Sequence, residues 1–235
     1  MLVLPPREDG PPTNMAIDLW MLRAFPRPEC PRFRHYTWNR PCHTFGYGQD
    51  FAWVSEQTGA TPESLCRRPT GGGVVDHRDD WTYALVIPAS HPAAGSEVRA
   101  SYQALHGALG KALVSLDVQT NMVEPSSESD ATDDLPAIPG KCFEEPVAYD
   151  LSRPEDGAKV AGAAMKRNRE GLLLQGSVHK GLVGNLPWKQ LAEVFVERIA
   201  AFLGTNFERI DWASSWEKDW QVLLKEIESA AWQRR

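Results

Sequence analysis

The sequence is short of the usual carriers of metal, redox and phosphate chemistry. Its four cysteines, Cys30, Cys42, Cys66 and Cys142, are spread out with no CxxC pair, so spacing supports neither a zinc knuckle nor a dithiol redox site. The six histidines form no HExxH or other close pair, and no metal is expected. There is no GxxxxGK[ST] loop, and Gly46 and Gly48 lack the third glycine of a dinucleotide fingerprint. Apolar runs stay far below the ~18 residues needed to span a bilayer, and Met1 to Arg7 lacks the order of a signal peptide. The expectation is a cytoplasmic chain without membrane contact. Nor is positive charge in excess: 25 Lys and Arg against 31 Asp and Glu leave −6, which argues against general affinity for nucleic acid.

What is present suits one domain over residues 1–235. A hydrophobic content of 42%, with nine Trp, eight Phe and five Tyr, is ample for a packed core. Met15, Leu19 and Leu22 predict a helix from Thr13 to Phe25, ended by Pro26, Pro28 and Pro31, and Phe33 to Trp38 reads as a strand. Gly71 to Val75 and Trp81 to Ile87 also read as strands or strand edges. Tyr102 to Leu116 repeats apolar residues at helical spacing. Residues 119–141 turn Pro-, Ser- and acid-rich, predicting a mobile loop. Val147 to Leu151, Lys159 to Met165 and Leu172 to Val178 predict a three-stranded meander. Helices are expected over 188–233: Trp188 to Leu203, then Asp211 to Gln233 with a Trp212, Trp216, Trp220 core stripe and a Ser214/Glu217 capping box. The elements alternate, so the fold class is α/β or α+β.

One segment makes a poor ordinary strand. In Arg67 to His77, Gly71, Gly72 and Gly73 precede the β-branched pair Val74 and Val75. Such backbone either packs closely against a neighbour or offers N–H groups to a ligand lying across it.

Read as a string, Arg67 to His77 resembles the RRxTGGGxVxH signature of the lipoate ligase and octanoyltransferase family. Asn14 to Asp18 resembles that family's opening helix and Phe45 to Gln49 its glycine-glutamine loop. Asp150-Leu151 with Lys159 to Ala164 resembles its lysine strand, and Leu174 to Ser177 the strand after it. The resemblance covers roughly residues 13–185. It implies the α/β catalytic fold, an α+β mixed sheet with flanking helices, shared with biotin protein ligases and class II aminoacyl-tRNA synthetases, although the biotin ligases' GRGRxGR loop is absent.

Within the family, Cys142 separates two chemistries. Its place before the lysine strand resembles the cysteine-dependent octanoyltransferases, which implies transfer of octanoyl from acyl carrier protein to a lysine of a lipoyl domain or the glycine-cleavage H protein, without a cofactor. The alternatives are an ATP- and Mg-dependent lipoate or octanoate ligase acting through an acyl-adenylate, amidotransfer between lipoyl proteins, and a non-enzymatic acyl-binding companion. Many ligases carry a C-terminal accessory domain for which the residues after Ser177 leave no room, which weighs against the ligase.

Chemistry points the same way, because exchange with a phosphopantetheine thioester is better matched by a cysteine thioester than by a serine ester. A cation beside the sulfur raises its thiolate fraction, and Lys159 is the candidate. Arg68, Thr70, Gly71, Gly72, Gly73, His77, Gly162, Ala163 and Gly176 are implied by the resemblance as substrate-binding. The plain alternatives are a buried free thiol for Cys142, an edge charge for Lys159, a structural histidine for His77 and a solvated surface charge for one of Arg67 and Arg68. Lys166 to Arg169 is the basic patch best placed to dock an acidic protein.

Overall fold

In the computed structural model, which describes residues 1–125 and 146–235, helices flank a mixed nine-stranded sheet. Its strands are β1 (Leu2–Val3), β2 (Arg7–Asp9), β3 (Arg32–Trp38), β7 (Asp80–Pro88), β8 (Asn121–Met122), β9 (Leu151–Ser152), β10 (Lys159–Asn168), β11 (Gly171–His179) and β12 (Glu208–Arg209). The order is β12-β1-β3-β7-β11-β10-β9-β8, with β2 following β1 along the same edge of β3. Pairing is antiparallel from β3 through β8 and parallel where β1 meets β3 and β12. A second sheet, β5-β4-β6, comprises β4 (His43–Phe45), β5 (Leu65–Arg67) and β6 (Val75–Asp76). The helices are α1 (Pro11–Arg23), α2 (Phe51–Thr58), α3 (Val98–Val114), α4 (Lys180–Val183), α5 (Trp188–Phe202), α6 (Trp216–Glu228) and α7 (Ala230–Gln233).

β7 is apolar almost throughout because both of its faces are covered. Trp81, Tyr83, Leu85 and Ile87 pack with Leu105, Leu109 and Leu113 of α3 and Leu191, Phe195 and Ile199 of α5. The alternate residues Ala84 and Val86 pack with α1, Trp220 and Ile227 of α6, and Trp232 of α7. α1 is wedged so deeply on that side that every residue from Asn14 to Leu22 is buried, more than the single apolar face its spacing indicates. Of the expected Trp stripe, Trp220 is buried, while Trp216 and Trp212 are partly buried against Trp20, at 5.5 Å and 6.4 Å between ring centroids; Trp212 precedes α6, which starts at Trp216 rather than Asp211.

Several elements differ from the sequence expectation. Val147 to Leu151 is a turn, and only Leu151–Ser152 joins the sheet; Tyr149 takes φ 70°, with its carbonyl against the His106 ring at 2.6 Å. Asn121–Met122, inside the expected loop, pairs with β9; the rest of that loop from residue 126 onward lies outside the described residues. Gly71 to Val74 is a loop, and the strand starts at Val75. The last helix breaks at Ser229, whose extended backbone ends α6 and whose hydroxyl caps α7. Ser215, not Ser214, precedes α6, without a side-chain cap. α2, which has no counterpart in the expectation, is capped by Asp50 accepting from the Trp53 N–H and ends in left-handed Gly59. Among the described residues no helix is long and apolar enough to cross a membrane.

Candidate active site

A cleft open to solvent lies between the two sheets. Its walls include Met15, Tyr36 and Trp38, the backbone of Gly72, and Gly162, Ala163, Ala164 and Gly176 of the β10–β11 hairpin, with Arg68, His77, Lys159, Gln175 and Ser177 as polar members. Seven of the residues implied by resemblance thus line one cavity: Arg68, Gly72, His77, Lys159, Gly162, Ala163 and Gly176. Thr70, Gly71 and Gly73 adjoin the cleft in sequence but are not among its lining residues. Cys142 lies outside the described residues.

Lys159 is aimed by an irregularity. Register between β9 and β10 shifts between Lys159 and Ala161, so Lys159 reaches the face of Gly162 and Ala164 although strict alternation would turn it away. Its ammonium meets the Asp150 carboxylate at 2.7 Å, and both side chains are buried. Asp150 also accepts the Val147 N–H at 2.9 Å. A Cβ on Gly162 would come within 2.5 Å of Lys159 Cε and 3.1 Å of Asp150 Oδ1, so that glycine makes room for the ion pair. Asp150 also acts on its surroundings: burial first, and then its charge, raises the phenols of Tyr83 and Tyr102. Burial lowers the His106 imidazole, against the opposing pull of Asp150.

Neither arginine of the glycine motif is a solvated surface charge. Arg67 is fully buried, donating to the carbonyls of Tyr47 at 2.6 Å and Gln49 at 2.7 Å, while the indole of Trp232 donates to the Arg67 carbonyl at 3.0 Å. Arg68 braces the loop itself: Nη2 donates to the carbonyls of Gly71 at 2.8 Å and Gly73 at 2.6 Å, and Nη1 to Thr44 Oγ1 at 3.1 Å. These bonds hold the guanidinium against the loop.

The loop is pinned from two further sides. Thr70 Oγ1 donates to Gln175 Oε1 at 2.7 Å, and Gln175 Nε2 donates to Asp18 Oδ2 at 2.6 Å. Asp18 also accepts from Arg34 Nε at 2.7 Å and the Tyr36 hydroxyl at 2.8 Å. Burial, followed by the Asp18 charge, pushes the Tyr36 phenol well up and keeps it a donor. On the other side, a Cβ on Gly46 would sit 1.9 Å from the Gly72 carbonyl oxygen and 3.0 Å from the Gly71 carbonyl carbon. Gly46→Ala is therefore expected to destabilise the protein by about 1–3 kcal/mol, since only backbone could yield. An unchanged thermal melt would show that the two loops separate more easily than this contact implies.

Composition hid the residues that support the site. Asp18, Gln175, Thr44, Asp80 and Asp150 carried no assigned role in the sequence. The available signal was polarity in apolar surroundings, such as Asp18 within an otherwise buried helix. In the basic patch, Lys166 lies 4.8 Å from the Tyr47 ring centroid, Arg167 bonds the Ser96 carbonyl and exposed Arg169 pairs with Glu170. Among the described residues no group of three or more His, Cys, Asp or Glu is arranged to hold a metal ion.

Comparison with known proteins places this arrangement. Residues 10–182 match the lipoyl protein ligase A/B catalytic domain. The chain belongs to that family. A protein of Staphylococcus epidermidis named octanoyltransferase LipM is 30% identical over 231 residues, covering 94% of this chain and 80% of the relative. A protein of the same name from Carboxydothermus hydrogenoformans is 36% identical over 172 residues, covering 70% of this chain and 59% of the relative. Among solved structures, a lipoate-protein ligase A bound with ATP superposes with a TM-score of 0.72 at 16% identity, covering 99% of this chain and 97% of that one. The bipartite lipoate protein ligase of Thermoplasma acidophilum gives 0.69 at 15% identity, covering 100% and 96%. At these identities the structural likeness speaks for the fold, and the fold is that of the family's catalytic domain.

Proposed function

We propose that this chain is an octanoyltransferase of protein lipoylation, acting in the cytoplasm. It moves an octanoyl group from an acyl carrier protein thioester to a lysine of a lipoyl domain or of the glycine-cleavage H protein, through a thioester on Cys142. The observation that carries the reading is the buried Lys159 ammonium set into a cleft that joins polar side chains to an apolar surface of Met15, Tyr36, Trp38, Val75, Ala163 and Ala164. Such a cleft suits an alkyl chain with one reacting polar end. The relatives named octanoyltransferase support the same reading.

In the first step the Cys142 thiolate attacks the donor carbonyl. A C–S bond to Cys142 forms, the C–S bond to the carrier breaks, and the carrier leaves as a thiolate that takes up a proton. In the second step the acceptor amine attacks the Cys142 thioester. A C–N bond forms, the C–S bond breaks, and the amine proton ends on the departing cysteine sulfur. Lys159 supplies positive charge for the thiolate and for the oxyanion of each tetrahedral intermediate. No ATP, metal or other cofactor enters this balance.

The described cysteines are poorly suited to the nucleophile's role. Burial pushes Cys66 up to about 12 and raises Cys42, and Cys30 is raised by burial and by Glu29. The test is to mix the protein with an octanoyl thioester donor, without ATP, and weigh the intact chain. An octanoyl increment that vanishes in Cys142→Ala and survives in Cys66→Ala is expected. Activity retained by Cys142→Ala and strictly requiring ATP would instead make it a ligase. Failure to modify any apo lipoyl domain would leave only acyl binding.

A further inference from the structure

Arg68, which braces the glycine loop, is held by a chain of hydrogen bonds whose direction chemistry fixes. A guanidinium only donates, so Thr44 Oγ1 accepts from Arg68 Nη1 at 3.1 Å. Thr44 Oγ1 also lies 2.8 Å from His77 Nε2, and its own proton is free to go there. His77 Nδ1 lies 2.5 Å from Asp80 Oδ2, and a carboxylate accepts. The fully satisfied arrangement is therefore a neutral imidazole with its proton on Nδ1 and a bare Nε2. With a proton on Nε2 as well, Thr44 would face two donors, and its own hydrogen would lose its acceptor.

The surroundings hold this arrangement still. Trp38 stacks over His77 at 4.1 Å, and the Trp38 indole donates to Thr82 Oγ1 at 2.9 Å, which donates to Asp80 Oδ2 at 3.0 Å. His77, Thr44 and Arg68 line the cleft, and all three are buried, as is Asp80 behind them.

We propose that Asp80 and His77 are positioning residues: by fixing the tautomer of His77 they orient Thr44 and through it Arg68, which sets the Gly71–Gly73 loop for acyl transfer. This rests on the octanoyltransferase reading.

The experiment combines spectroscopy with kinetics. In ¹⁵N-labelled full-length protein, assigned by difference from His77→Gln, His77 is expected to carry its proton on Nδ1 at neutral pH. In Asp80→Asn the neutral amide is a weaker acceptor for Nδ1–H than the carboxylate, and the proton is expected to shift toward Nε2. Octanoyl transfer is then expected to lose about 10–10²-fold in kcat, with the acceptor KM changed less than about 3-fold. Thr44→Val should match that loss, Thr44→Ser should restore kcat to within about 3-fold, and the Asp80→Asn/Thr44→Val double variant should be no worse than either single one. A wild-type proton on Nε2, unchanged kcat in Thr44→Val, a change in KM alone, or multiplicative losses would each overturn the proposal. If Asp80→Asn does not fold, the wild-type spectrum and the Thr44 pair still decide. A wild type that transfers nothing without ATP would instead sink the octanoyltransferase reading, while the imidazole spectrum still tests the hydrogen-bond chain by itself.

Discussion

Lys159→Met is expected to lower octanoyl transfer by about 10²–10³-fold, the usual consequence of removing a cation or donor from a developing oxyanion. The substitution keeps the length and apolar stem of the side chain and removes its charge. It also leaves the Asp150 carboxylate buried without the ammonium 2.7 Å away, and breaking a buried pair in this way costs about 3–5 kcal/mol. Loss of activity alone would therefore not separate chemistry from folding. Lys159→Met combined with Asp150→Asn does separate them, because the amide oxygen still accepts from Val147 N–H and both charges of this pair are removed together. The double variant should recover most of the stability and none of the activity. Transfer within about 3-fold of wild type in either variant would reduce Lys159 to a structural charge.

The second large effect is expected at Asp18. Its two carboxylate oxygens receive Arg34, Tyr36 and Gln175, all within a fully buried layer between α1 and the sheet. Asp18→Ala leaves a buried guanidinium without its counter-charge and should cost about 3–5 kcal/mol. For a chain of this size that is roughly a 6–20 °C fall in melting temperature. Asp18→Asn keeps an acceptor of the same shape and should cost markedly less. Because Gln175 also receives the Thr70 hydroxyl, Asp18→Ala should slow transfer at temperatures where it remains folded. A melt within about 3 °C of wild type would show that water takes over the role of the carboxylate.

Why some of this was legible in the sequence and some was not follows from how far each signal travels along the chain. α3 and α5 each bury one face against a single sheet, so helical spacing found them. The glycine loop was visible because three glycines have no ordinary use in a strand. Val147 to Leu151 misled because its apolar content is real, yet the segment turns at Tyr149 under contacts from His106 and Val123 that are distant in sequence. The break at Ser229 involves neither proline nor glycine, and α2 buries only Val54 fully, too little to print a period. For the site, the lining residues were found through the motif strings. Their supports were not, because Asp18 with Arg34, Thr44 with Arg68 and His77 with Thr44 are partnerships across 16, 24 and 33 positions. The one-residue irregularity that turns Lys159 into the cleft likewise has no signature in composition.

The contact between Gly46 and Gly72 has a consequence for anyone who would re-engineer the cleft. Tyr47 N–H bonds the Thr70 carbonyl and Arg68 N–H the Phe45 carbonyl, both at 2.9 Å, so the two loops are laced together on either side of that crossing. Neither can be exchanged for a loop from another scaffold without the other. The transplantable cassette is the whole span from Cys42 to His77, small sheet included, and a graft of the triple glycine alone would arrive without the surface that shapes it.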